Sequence, residues 1–182
     1  IHDSSQEGYS FTHNFLSDLG GYESHSSEQN FLSNFFFNMS MFVFALVGIA
    51  FLWIPQLFRD NTLNWYLSCL GSFFLFIGTL FFAGVGLTPY DLYLDIHIFF
   101  ALNAFRLMVP GCLCFLIVLL RSNVQKRYAF IAGFYLFSVV AYVCYQLLST
   151  GNPFEDINEM IRQATIQKII VISFPIFHIF LN

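Results

Sequence analysis

The chain is poor in charge. Of its 182 residues only 10% are Asp, Glu, Lys or Arg, against about a quarter in a soluble domain. A water-exposed globule is excluded on that ground. With 7 Lys and Arg against 11 Asp and Glu, there is no basic surface for nucleic acid. Cysteine is sparse too. The four residues Cys69, Cys112, Cys114 and Cys144 all lie in apolar runs and read as small packing residues rather than a disulfide framework. Cys112 and Cys114, two apart on a helix, face different sides and are no metal pair. The sequence also lacks a nucleophile elbow, a Walker loop, a dinucleotide-binding glycine loop, an HExxH pair and haem-type paired histidines. No motif therefore names a reaction, and no internal repeat is visible.

What is abundant is apolar. Hydrophobic residues make up 57% of the chain, 26 residues are Phe, and the mean hydropathy is +0.67. Five apolar stretches follow a polar beginning: 31–58, 65–86, 96–120, 128–148 and 166–182. The first four each have the roughly twenty residues that cross about 30 Å of hydrocarbon as a helix. None alternates as a barrel strand would. The expectation is an all-α, polytopic transmembrane helix bundle over residues 31–182 with five spans, preceded by an outer polar segment over residues 1–30. The start at Ile1 and the end at Asn182, inside an apolar run, are read as signs of a longer parent.

The loops give an orientation. Segments 59–64 and 121–127 carry Arg59, Arg121, Lys126 and Arg127. Asp3, Glu7, Asp18, Glu23, Glu28, Asp91, Asp95, Glu155, Asp156 and Glu159 lie on the other side. The positive-inside rule places the two basic loops in the cytoplasm, and residues 1–30, 87–95 and 149–165 outside. Trp53 and Trp65 flank the first cytoplasmic turn. In the last outer segment Asn152 is placed as an N-cap and Pro153 at the first helical position. Phe154, Ile157, Ile161, Ala164 and Lys168 then recur at helical spacing. They describe either an interfacial helix leading into the fifth span or an early start of that span.

One residue conflicts with its surroundings. Arg106 lies inside the third span, where a charge costs several kcal/mol unless paired or hydrated. Asp95, Leu102 and Arg106 share a helix side, with Phe99 and Asn103 beside them. Asp95 is roughly 16 Å away along the axis, too far for a direct bond. Candidate partners are Asn103, Asn34, Asn38 and Ser72, with Asn34 and Asn38 one turn apart as a polar strip, and the carbonyl freed by Pro110. Arg106 either ties the third span to the first or holds an anionic ligand or lipid head group.

A second constellation lies at the outer edge: His13, Asp18, His25, Glu28, Asp91, Asp95 and His97. Capping and salt bridging within the loops is one use of these acids. A divalent ion such as zinc, held by Asp18, Asp95 and His97, is the other. His178 stands alone among apolar residues and reads as a core histidine. Asn38-Met39-Ser40 matches a glycosylation sequon but lies inside a span. Gly48, Gly71, Gly78, Gly84 and Ala45 suit close helix packing. Ser17-Asp18-Leu19-Gly20 reads as a turn in which Ser17 or Asp18 accepts backbone N–H groups. Phe11, Phe15, Leu16 and Leu19 dip into the interface as a short amphipathic lid. That lid is expected to bring Asp18 close to His97 and Asp95 and to cover a polar cavity with Arg106 at its floor.

Residues 9–38, with Ser17-Asp18-Leu19-Gly20, and residues 84–105, with Pro89, Asp91 and His97, resemble the bacterial integral membrane family catalogued as domain of unknown function 998. That family is similar in turn to the Frag/DRAM/Sfk membrane proteins. The resemblance implies a six-span parent, the first span preceding Ile1, in a bacterial inner membrane. It implies contact with membrane lipids and no established activity.

Three functions remain open from sequence: a non-catalytic protein holding a lipid head group or small anion through Arg106, Asn103, Asn34, Asn38, Ser17, Asp18, Asp95 and His97; an accessory subunit packing against other membrane protein subunits; and a metal-dependent lipid hydrolase.

Overall fold

A computed structural model of the chain describes residues 8–24, 26–151, 153 and 155–180, with side chains described as far as Ile172. The apolar runs fold as five helices: α1 Phe31–Gly48, α2 Thr62–Leu87, α3 Leu94–Arg121, α4 Lys126–Leu148 and α5 Ile157–Phe180. Among the described residues there is no strand, only an isolated bridge between Glu23 and Gln29. Four stretches are long and apolar enough to cross a membrane: Phe31–Phe58, Thr62–Leu87, Leu94–Arg121 and Lys126–Leu148.

The boundaries follow local chemistry. The first run does not stay α-helical to residue 58. α1 stops at Gly48 and the chain continues as 3₁₀ turns over Ile49–Leu52 and Ile54–Phe58. Pro55 accounts for part of this, because it has no N–H and disfavours the α conformation of Ile54. α2 starts earlier than hydropathy suggests. The side chain of Asn61 accepts the N–H of Asn64 at 3.1 Å and caps it. α3 runs through Pro110 unbroken. α5 is one continuous helix, so the expected interfacial segment and the last apolar run are a single element. Pro153 precedes this helix rather than opening it. The Asp156 carboxylate accepts the N–H of Asn158 at 2.9 Å near its start. Asn152, Phe154, His25, Asp3 and Glu7 lie outside the described residues, as does the side chain of His178.

α2 and α3 form the centre, with α1 packed on α2, α4 on α3 and α5 on α4. Close approach needs small residues. A Cβ on Gly48 would fall 1.9 Å from Thr79 Oγ1, and one on Gly111 would fall 2.7 Å from Leu75. Two apolar clusters fill the interior. One holds Leu75, Met108, Cys112 and Val139; the other holds Phe105, Tyr142 and Ile170. Phe82 packs against both. Its ring meets Phe44 of α1 and Phe105 of α3 edge to face, at 5.3 and 5.4 Å between centroids. The cysteines are free thiols: Cys112 and Cys114 buried, Cys144 exposed and Cys69 half-buried.

Candidate functional site: a latched outer segment and the arginine of α3

The polar residues before α1 form an ordered cap over one end of the bundle. Residues Leu16–Gly20 make a 3₁₀ helix. The Asp18 carboxylate accepts the Phe15 N–H at 2.9 Å and the Asn14 amide at 3.1 Å, which fixes the start of that turn. Its carbonyls would be orphans at the far end. Side chains of α1 and its preceding residue satisfy them: Asn30 donates to Leu19 and Gly21, Ser33 to Leu19, and Asn34 to Gly20 at 2.6 Å. The connection between α2 and α3 holds the next stretch. Asp91 accepts the N–H groups of Tyr22 and Glu23 at 2.8 and 3.2 Å. This is the capping use expected for an outer acid.

α5 supplies the third anchor, which sequence reading missed. Lys168 is only 2% exposed. Its ammonium donates to the carbonyls of Phe11 and Asn14 and lies 5.1 Å from the ring centres of both Tyr9 and Phe11. Beside it, Gln167 accepts the Leu16 N–H at 3.1 Å. The signal was available: Lys168 interrupts the apolar run Thr165–Ser173 much as Arg106 interrupts α3. Asp18 acts electrostatically on this group of residues. Burial first, and Asp18 second, push the Tyr9 phenol up to about 12. Burial, then Asp18 and Asp91, raise that of Tyr90 as well.

Beneath the cap, His97 is buried, and its Nδ1 lies 2.6 Å from the Thr88 carbonyl. A carbonyl only accepts, so Nδ1 carries the proton, and Nε2 of the neutral ring is an acceptor. Nε2 has no partner among the described residues, and neither does buried Asn38 Oδ1. Asp18 is close enough to act on His97. Asp95, by contrast, is exposed at the start of α3, and Ser17 is half-buried in the 3₁₀ helix. Asp18, Asp95 and His97 are not assembled into a metal-holding group; no group of three or more His, Cys, Asp or Glu suited to a metal occurs among the described residues.

Arg106 makes none of the side-chain contacts expected of it. On α3, Phe100, Ala104, Leu107, Met108, Gly111 and Cys114 meet α2, while Phe105 meets Tyr142 edge to face and Leu116 approaches Gly133 of α4. At 100° per residue Arg106 lies about 130° from the middle of the α2 contacts and about 90° from the α4 contacts. It is half-buried and shares its side with Leu113, with exposed Asp95 and with Phe99, whose ring centre lies 5.9 Å from that of Phe81 on α2. Of the expected partners, Asn34 bonds Gly20, Asn103 bonds the Phe99 carbonyl at 2.8 Å, and Asn38 Oδ1 and Ser72 Oγ have no partner among the described residues. Arg106 Nε itself is buried with no partner among the described residues. Arg106 lines neither the shallow groove along α4 near Lys126 nor the one between the cap and α1.

At the junction of α4 and α5, buried Glu159 accepts hydrogen bonds from Ser149, from Tyr145 at 2.8 Å and from Gln163 at 3.0 Å. The Ser149 bond, then that of Gln163, outweigh burial and hold the carboxyl below its ordinary value of 4.5. A depressed folded-state pKa means stability present above the unfolded value and lost as pH falls through the folded one. Amide protection factors at residues 145–160, the intrinsic exchange rate at each pH over the observed one, should therefore be steady from pH 8 to 5 and fall as the pH drops below 4.5. The fall should be absent in Glu159→Gln. Equal acid sensitivity of the two proteins would contradict this account.

Fold and site together define a polytopic helical membrane protein, one end of which is capped by the polar segment before α1. The chain belongs to the DUF998 family, proteins of unknown function, whose family model matches residues 1–177. Comparison with the curated proteins found no match, and comparison with the solved structures found none.

Proposed function

We propose that this protein is a non-catalytic component of a membrane assembly, and that the Arg106 side of α3 receives a further transmembrane segment. One observation carries the reading: Arg106, midway along a span, has a buried Nε with no partner among the described residues. Ionisable residues within spans almost always face a protein interior or a hydrated cavity. A half-buried arginine with no partner among the described residues is accounted for if another helix completes the interior around it. Residues 1–30 form the outer segment in this reading and residues 31–182 the bundle. The basic loops 59–64 and 121–127 face the cytoplasm, in keeping with the positive-inside rule. Contacts that join residues 8–30, the 88–93 connection and α5 at one end of the bundle support that orientation. A bacterial inner membrane fits the family.

The test is native mass spectrometry of the protein extracted in mild detergent from its own membrane. A stoichiometric complex with another polypeptide is expected. A lone chain would overturn the reading.

A second reading rests on a different observation. The buried acceptors Asn38 Oδ1 and His97 Nε2 under the cap have no donor among the described residues, and a small polar ligand or lipid head group with donor groups would satisfy them. A defined small-molecule adduct on a lone chain would favour it.

A further inference from the structure

We infer that the end of the bundle opposite the cap binds an anionic phospholipid, with the phosphate on Lys126 and one acyl chain in the groove that runs down α4. The groove does not involve Arg106. Lys126 stands at its head, followed at helical spacing by Ala129 and Phe130, then Gly133 and Phe134, then Phe137. Leu120 of α3 joins the lining at the head. Gly133 has no side chain and Ala129 is buried, whereas Phe130 and Phe137 are 60% and 72% exposed. Rings thus stand beside a low floor, and everything below the ammonium is apolar.

The length fits one leaflet. α4 has 23 residues, about 35 Å, so about 30 Å of hydrocarbon begins about two residues inside each end. Lys126, the first residue of the helix, then lies at head-group level. Phe137 lies about 14 Å below the boundary, close to the midplane at about 15 Å. An extended acyl chain hanging from a phosphate at Lys126 covers that distance. The charge fits as well. The Lys126 ammonium gives one of its three protons to the Leu120 carbonyl at 3.2 Å, which holds it over the head of the groove and leaves two donors. Arg59, Arg121 and Arg127 lie in the same two loops, 59–64 and 121–127, where Asp60 is the one acid. This end is therefore positive, and a lipid phosphate is the anion that brings its own apolar chain.

The experiment places the full chain in phosphatidylcholine nanodiscs at neutral pH. A trace of phosphatidylglycerol or of phosphatidylcholine carries a diazirine near the end of one acyl chain, and crosslinks are mapped by mass spectrometry after illumination. Phe73 is the reference. It follows Thr62, the first residue of α2, by as many positions as Phe137 follows Lys126, and it is 57% exposed, so the two rings lie at about the same depth. The phosphatidylglycerol-to-phosphatidylcholine yield ratio at Phe137 should exceed that at Phe73 by about fivefold, the equivalent of about 1 kcal/mol for one basic residue at an anionic lipid surface. Lys126→Gln should remove most of the excess, and Lys126→Arg should keep it. A Cβ on Gly133 meets nothing nearer than Leu116 at 3.7 Å, an ordinary contact. Gly133→Leu can therefore fill the groove, and it should lower crosslinking at Phe137 by both lipids while leaving Phe73 unchanged. Equal ratios at Phe137 and Phe73 in the wild-type chain would overturn the inference, as would an excess that survives Lys126→Gln. No crosslink at Phe137 by either lipid would mean that a protein segment, of this polypeptide or another, covers the groove, and would overturn it too.

Discussion

Replacing Lys168 with methionine should release residues 9–20 from the bundle while leaving the five helices in place. Methionine fills nearly the same volume but cannot donate, so the carbonyls of Phe11 and Asn14 lose their common partner. A buried acceptor left without a donor costs about 1–3 kcal/mol. Two of them would lower the local opening free energy of the cap by about 2–6 kcal/mol, with further loss from the ammonium's contacts to the Tyr9 and Phe11 rings. Amide exchange at Asn14, Phe15 and Leu16 should speed up by about 30-fold at least and by up to about 20,000-fold, since about 1.4 kcal/mol is a factor of ten. Protease cleavage between Phe11 and Leu19 should follow. Helix content by circular dichroism should not change, because α1 begins at Phe31 and does not depend on the cap. The remaining anchors, Asp91 on Tyr22 and Glu23 and Asn34 on Gly20, predict that residues 20–23 stay protected. Unchanged exchange over 14–16 would show that Lys168 is not the latch.

The other large effect is expected at Phe82. Its ring touches helices on both sides and both apolar clusters, so no single neighbour can collapse into the space it leaves. Phe82→Ala should cost about 3–5 kcal/mol, the usual range for a phenylalanine deleted from a core. The comparison is Phe73→Ala. Phe73 is also on α2 but 57% exposed, and this change should stay within about 0.5 kcal/mol. Denaturation of both variants in mild detergent, followed by loss of helicity, decides the matter. Similar losses for the two would mean that the interior is not organised around Phe82.

The two phenylalanines also mark how far the sequence could be read. Both lie in the same apolar run, and the run itself shows a helix, because only a helix satisfies its backbone within lipid. Nothing in hydropathy separates a lipid-facing ring from a buried one, since both environments are apolar. That choice was made by the small residues along α2 and α3, which bring the helices together on one side. The outer segment was legible to a similar degree. Asp18 and Gly20 were readable as a turn, and the 3₁₀ helix is there. Its anchors Asn30, Ser33, Asn34, Gln167 and Lys168 were not legible as a set. They come from places as much as 157 positions apart, and local patterns do not report such pairings.

By itself the sequence determined that the protein is helical and membrane-type, where its spans lie to within a few residues, and that Arg106 needs a partner. Those are consequences of backbone satisfaction, hydrocarbon thickness and charge, all of which act locally. Only the tertiary structure decided that Asn34 serves the cap rather than the arginine, and that Lys168 of α5 reaches the carbonyls of Phe11 and Asn14. Each of these depends on how helices are rotated about their axes. That rotation is fixed by packing against neighbours, as in the seating of Gly48 on Thr79 and Gly111 on Leu75, and not by the hydropathy of any one span.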